Sequence, residues 1–159
     1  MFVVQFPSLR CLEYSDPLLY ENRVGKFMEL REGENCYLLG NMAQIKAQFA
    51  TPGVPRARLF SVEDRDSVVA AAILFPTGCL FITWATPDMK KVLAEALFKA
   101  NCPITSVYGP AHVSWRFAET WAKLTQQEYQ LERSERIYQL TRPRHNPRAT
   151  GRLELAQPE

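Results

Sequence analysis

His112 is one of two histidines in the chain, and it follows Gly109-Pro110-Ala111 where a turn should hand over to a helix. An imidazole there could serve as a general base if a carboxylate steadied it. Glu119, about two helical turns further on, is the acidic residue to consider. The plain alternative is an exposed or capping histidine. Trp84, Tyr108, Trp115 and Trp121 could line an aromatic pocket. Large rings at such spacings more often fill a core, because each buries so much area. Trp115 stands apart, since it falls off the stripe set by Val113, Phe117 and Trp121. An off-stripe tryptophan points to an interface with a partner domain. Trp84, Tyr108, His112 and Trp115 are therefore the candidates for a substrate cleft or an interface. No catalytic residue is assigned. Gly-x-Ser-x-Gly is absent, and seven glycines in 159 residues leave no phosphate loop.

Cys11, Cys36, Cys79 and Cys102 are spaced irregularly, with no Cys-x-x-Cys pair and no histidine beside them. That spacing offers neither a structural zinc site nor a redox motif, so no metal is assigned. The expectation is buried free thiols in a reducing cytoplasm. The first residues, Met-Phe-Val-Val-Gln-Phe-Pro, lack the basic region and long apolar core of a signal peptide. Net charge is +2, from 19 basic and 17 acidic side chains, which does not suggest a nucleic-acid domain. The basic cluster Arg142, Arg144, Arg148 and Arg152 has only His145 beside it for stacking, so it reads as a solvated linker. Residues 68–85 are uncharged and long enough to raise the question of a membrane span. Pro76-Thr77-Gly78 splits that stretch into two β-branched and aromatic runs, which read as a hairpin of buried strands.

The elements that must hold these residues follow from capping signals and periodicity. Ser15-Asp16-Pro17 opens a helix that Gly33 should close. A second helix is expected over 41–49, with Tyr37, Leu38 and Leu39 as a turn before it or as part of it. Arg58, Phe60 and Val62 alternate as a strand, and the hairpin follows. Thr86-Pro87-Asp88 starts the clearest helix. Met89, Val92, Leu93, Ala96, Leu97 and Ala100 make one apolar stripe in it. Residues 104–108 form a short strand, and 111–124 an amphipathic helix. Tyr129, Leu131, Ile137, Tyr138 and Leu140 are the apolar members of a last strand pair, turning at 133–136. The reading is a mixed α/β domain over residues 1–141, a Pro/Arg-rich linker over 142–152, and the start of a further domain over 153–159.

The order helix, helix, strand, hairpin, helix, strand, helix, hairpin resembles the GNAT superfamily of N-acetyltransferases. The residues that carry the resemblance are Phe81-Ile-Thr-Trp84, Val92-Leu-Ala-Glu-Ala-Leu97 and Val107-Tyr-Gly-Pro110, then Phe117-Ala-Glu-Thr-Trp121 and Arg136-Ile-Tyr-Gln-Leu140. More narrowly, the chain is similar to the N-terminal half of two-domain members. In these, a Pro/Arg linker and a Gly-Arg-Leu start lead into the catalytic domain, as Gly151-Arg-Leu-Glu-Leu-Ala156 does here. The resemblance implies a central, mostly antiparallel sheet flanked by helices. It also implies a following catalytic domain that uses acetyl-CoA on a small-molecule amine. The chain departs from the family where an Arg/Gln-x-x-Gly-x-Gly/Ala loop should hold the acyl-CoA pyrophosphate. The equivalent residues, Ala85-Thr-Pro-Asp-Met89, have no glycine, one donor removed by Pro87 and a negative charge at Asp88. The expectation is an accessory domain with no cofactor of its own, partnered by the catalytic domain. The alternative is a stand-alone, non-enzymatic interaction or dimerisation module, with a homodimer as its partner state. No contact with nucleic acid or membrane is expected.

Overall fold

The computed structural model describes residues 8–138, with 140 and 142. It is a mixed α/β fold, with a five-stranded, mostly antiparallel sheet between two pairs of helices. In chain order the elements are β1 Leu9–Tyr14, α1 Pro17–Glu29, α2 Glu32–Ala50, β2 Arg58–Asp64, β3 Ser67–Leu74, β4 Cys79–Ile82, α3 Pro87–Lys99, β5 Ser106–Tyr108 and α4 Ala111–Thr125. The strands stand side by side in that same order. β1 to β4 pair antiparallel, and β4 pairs parallel with β5. Only this last pair needs a crossover, and α3 supplies it.

Local chemistry explains most boundaries. The Asp16 carboxylate accepts the Leu18 N–H at 2.8 Å, and Pro17 fills the first helical position of α1. Tyr20, Val24 and Met28 then repeat every fourth residue and are fully buried. The chain breaks at Leu30–Arg31, not at Gly33, which lies inside the first turn of α2. A first-turn N–H makes no intrahelical bond, so glycine weakens the ladder little there. Glu32 and Glu34 add favourable charge at the same helix end. The second helix therefore runs 32–50 rather than 41–49. Buried Asn35 donates from Nδ2 to the Met28 carbonyl at 2.9 Å and locks the two helices together.

The hairpin expected over 68–85 is β3 and β4. Gly78 has φ +86°, and a Cβ on it would press on Thr105 and the Pro103 carbonyl within 2.9 Å. Only glycine fits that turn. Both sheet faces are covered, which is why these strands are apolar at nearly every position. Leu59, Ala71 and Ile73 pack beneath α1 and α2. Phe60, Val62, Ala70, Ala72, Leu74, Leu80 and Ile82 pack against Leu93, Leu97, Val113, Phe117 and Trp121 of α3 and α4.

Three further expectations are corrected. The chain enters the domain as a strand, β1, rather than as a helix. Its alternation is interrupted by Arg10 and Glu13, whose charges pair with side chains of β2 instead of facing solvent alone. Of the four thiols only Cys102 is buried, and Cys36 is exposed on α2. The strand pair over 129–140 is absent from the described residues. Residues 127–138 carry no helix or strand, and Tyr129, Leu131, Ile137, Tyr138 and Leu140 are exposed. Alternation specifies the faces of a strand, whereas a lasting strand also needs a neighbouring backbone edge. The expected linker beyond residue 142 and the strand start at 153–156 lie outside the described residues. No helix among the described residues is long and apolar enough to cross a membrane.

Candidate functional site

The two parallel strands β4 and β5 end side by side, and α3 and α4 begin there. Crevices beyond the carboxyl ends of such strands are the common location of α/β binding sites. Gly109 permits the close approach, since a Cβ on it would collide with the Ile82 carbonyl oxygen of β4. The four candidate residues sit around this end, but the sheet divides them into two sets.

Trp84 and Tyr108 belong to the side covered by α1 and α2. Phe81 of β4 is sandwiched between Tyr37 of α2, at 4.2 Å, and Tyr108 of β5, at 4.9 Å, with all three rings nearly parallel. Phe75 meets both Phe81 and Tyr37 edge-on. The Arg31 guanidinium lies 5.2 Å above the Trp84 ring. Each ring pair contributes about 0.5–1.5 kcal/mol beyond its buried area. Tyr37 remains half exposed, so the stack closes the α2 margin of the sheet and keeps one ring in water. No local pattern marks Tyr37, because only tertiary packing brings α2 over β4.

His112 and Trp115 belong to α4. His112 is exposed in its first turn, and Glu119 does not reach it. Glu119 instead accepts from Trp115 Nε1 at 3.2 Å and pairs with Arg116 at 2.9 Å. Arg116 holds the Glu119 carboxyl below its usual range. A carboxylate so engaged does not steady His112 as a base. Trp115 is 46% exposed, with Tyr129 edge-on to it at 5.4 Å. Lys90, in the second turn of α3, faces the same helix and is 4% exposed. Its backbone N–H donates to the Thr86 carbonyl, but its side chain makes no hydrogen bond or ion pair among the described residues. Burial lowers its pKa, nearby Arg116 lowers it further, and Glu119 pulls in the opposite direction. By spacing, Lys90 falls outside the apolar stripe of Met89, Val92, Leu93, Ala96, Leu97 and Ala100. Its burial depends on where α4 packs.

A second polar cluster escaped sequence analysis entirely. Glu63 of β2 has a side chain only 1% exposed. It accepts two bonds from Arg23 of α1, at 3.0 and 2.8 Å, one from Tyr14 at 3.0 Å and one from Ser61 at 3.1 Å. Arg10 adds a longer contact at 3.4 Å. The Arg23 bonds hold its carboxyl down at about 2, against the opposing effect of burial. A carboxylate that acidic and that fully engaged is a poor general base. It is a brace between α1 and the sheet. The signal was available in part: Glu63 falls in step with Leu59 and Ser61 on an inward face.

Cys11 and Cys102 are equally unsuited to nucleophilic work. Burial, then Glu13, pushes Cys11 up to about 12. Cys102 is raised by burial, although Arg58 donates to its Sγ at 2.9 Å. Both are neutral thiols near pH 7. Among the described residues no group of three His, Cys, Asp or Glu side chains could hold a metal ion. The arrangement offers aromatic surface, two unequal charge clusters and two helix starts. Family models, curated proteins and solved structures give no significant match to this chain.

Proposed function

We propose that this chain is a non-catalytic accessory domain of a GNAT-type, acetyl-CoA-dependent N-acetyltransferase, helping to shape the acceptor side of the cleft. The observation that carries the reading is the junction of β4 and α3. A helix start that holds a diphosphate needs free backbone N–H groups and no competing negative charge. Here Pro87 has no N–H, the Thr86 N–H is directed at Met89 Sδ at 3.3 Å, and Asp88 occupies the first turn. The order of the described elements from α1 to α4 supports the resemblance. The final hairpin that the resemblance also implies is not among them. On this reading a following domain, in the cytoplasm, would hold acetyl-CoA and supply acetyl transfer to a small-molecule amine, the bond to the coenzyme A sulfur breaking as the C–N bond forms and the thiol leaving, and this chain binds no acetyl-CoA. Titration calorimetry of acetyl-CoA into the chain should give no saturable heat. A dissociation constant in the micromolar range, about −8 kcal/mol of binding free energy, would overturn the proposal.

A second reading is an interaction or dimerisation module without catalysis. The exposed Trp115–Tyr129 pair favours it. Light scattering over a concentration series tests it: a mass that doubles, and returns to that of one chain in Trp115→Ala, supports a homodimer.

A further inference from the structure

The last turns of α3 and α4 and the residues leading into β5 border a cavity of about 420 Å³. A volume of that order suits a small molecule. Phe98, Ile104 and Trp121 give it apolar walls, and Asn101, Thr105, Thr125 and Gln127 give it polar ones. No charged side chain among the described residues lines it. Trp121 is 9% exposed, and its Nε1 is closed off from water with no hydrogen-bond partner among the described residues. Gln48 Oε1 and Asp64 Oδ1 share that condition, but neither residue lines the cavity. An indole N–H can only donate, and a buried one normally has an acceptor. Leaving it orphaned costs the fold, so an acceptor brought by a ligand would relieve that cost.

The hydroxyl protons of the polar wall are already committed. Thr125 Oγ1 donates to the Trp121 carbonyl at 2.8 Å, and Thr105 Oγ1 to the Thr77 carbonyl at 3.3 Å. Each oxygen keeps lone pairs for a donor on a ligand. The side-chain amides of Asn101 and Gln127 make no hydrogen bond among the described residues. The wall therefore offers donors and acceptors but no charge. Phe98 meets the Trp121 ring edge-on at 6.3 Å and is 43% exposed. A ring that exposed, at a helix end, changes rotamer without repacking the core, and its turning opens a way to the indole.

We infer that this cavity is a binding site for a small, uncharged aromatic amide. The amide oxygen accepts from Trp121 Nε1 as Phe98 turns aside. The amide N–H donates to a threonine oxygen, and the ring packs on Trp121, Ile104 and Phe98. The cavity lies at the end of β5 away from the starts of α3 and α4, so the inference does not depend on the acetyltransferase reading.

The test titrates benzamide into the ¹⁵N-labelled chain. The chain has three tryptophans, so its indole N–H resonances are few enough to assign. Benzamide should displace the Trp121 resonance saturably, with a dissociation constant of about 1 mM or tighter, and leave Trp84 and Trp115 in place. Toluene, the same ring without the amide, should bind at least about tenfold more weakly. Benzoate should bind more weakly by a similar factor, because its charge meets no cation in the wall. Trp121→Phe keeps a ring and removes the donor. It should weaken benzamide about tenfold, read from the backbone amides of Ile104 and Thr105, with the Trp84 and Trp115 resonances unchanged as proof of folding. No displacement of Trp121 at about 10 mM benzamide, movement of all three indoles together, or equal affinity for toluene or benzoate would each overturn the inference. So would unchanged affinity in Trp121→Phe. The comparison of probes uses the unaltered chain, so it decides the matter whether or not the variant folds.

Discussion

Glu63 and Lys90 are both charged residues with little exposure, Glu63 on a strand of the sheet and Lys90 on a helix packed against it. Their surroundings differ completely. Glu63 receives bonds from Arg23, Tyr14 and Ser61 within 3.1 Å. Lys90 receives nothing comparable, only the opposed fields of Arg116 and Glu119. A saturated buried charge orients the elements around it, and removing either partner exposes the other to the full cost of burial. An unsaturated one contributes no such brace, so it weakens the fold or awaits a partner from outside. The contrast separates the part of the molecule that holds the architecture from the part with capacity left to bind.

The sharpest way to break the comparison is Glu63→Gln. It removes the charge that Arg23 and Tyr14 serve and should cost about 2–3 kcal/mol, read by urea unfolding. A loss under about 0.5 kcal/mol would place Glu63 beside Lys90 as a spectator. The pH dependence follows from the same residue. Its carboxyl titrates near 4.5 when unfolded and near 2 when folded. Between those values the unfolded chain binds more protons, so acid favours unfolding. Stability should be fully present above about pH 5 and decline towards pH 2, and Glu63→Gln should flatten that decline. Lys90→Met is the opposite case. It keeps the buried stem and removes an unmatched charge, so stability should hold or rise by up to about 1 kcal/mol in thermal unfolding. A clear loss would mean that the ammonium has a structural partner. The smallest effect is expected for Trp115→Ala, within about 0.5 kcal/mol, because half of that ring is already in water.

Legibility in the sequence tracked how local the physics was. The start of α1 at Asp16-Pro17, the hairpin about Gly78, and the α3 and α4 stripes rest on caps, turns and periodicity within a few residues. The structure reproduces the α1 start, the hairpin and the α4 stripe, whereas on α3 the buried face turns to Lys90, Leu93, Ala94 and Leu97, leaving Met89, Val92 and Ala96 half-buried and Ala100 exposed. The end of the first helix was misplaced because Gly33 was given a stop role that its first-turn position does not require. β1 was missed because its two charged residues find partners 45 and 53 positions away. The hairpin over 129–140 was expected from alternation alone, which carries no information about a free edge.

The candidate site divides in the same way. Sequence placed Trp84, Tyr108, His112 and Trp115 near helix and strand ends, and it marked Trp115 as lying off its stripe. It could not place Trp84 and Tyr108 with α2 while His112 and Trp115 stay with α4, since strand order decides that. Nor could it find Tyr37 over Phe81, Arg23 on Glu63, or the burial of Lys90. By itself the sequence determined a mixed α/β domain with two amphipathic helices after an uncharged hairpin, and an α3 start that carries Pro87 and Asp88 and no glycine. Periodicity and capping act over one or two turns, so they are written in neighbouring residues. Pairing, stacking and charge matching act between residues distant in the chain and close in space, and only the tertiary fold decides them.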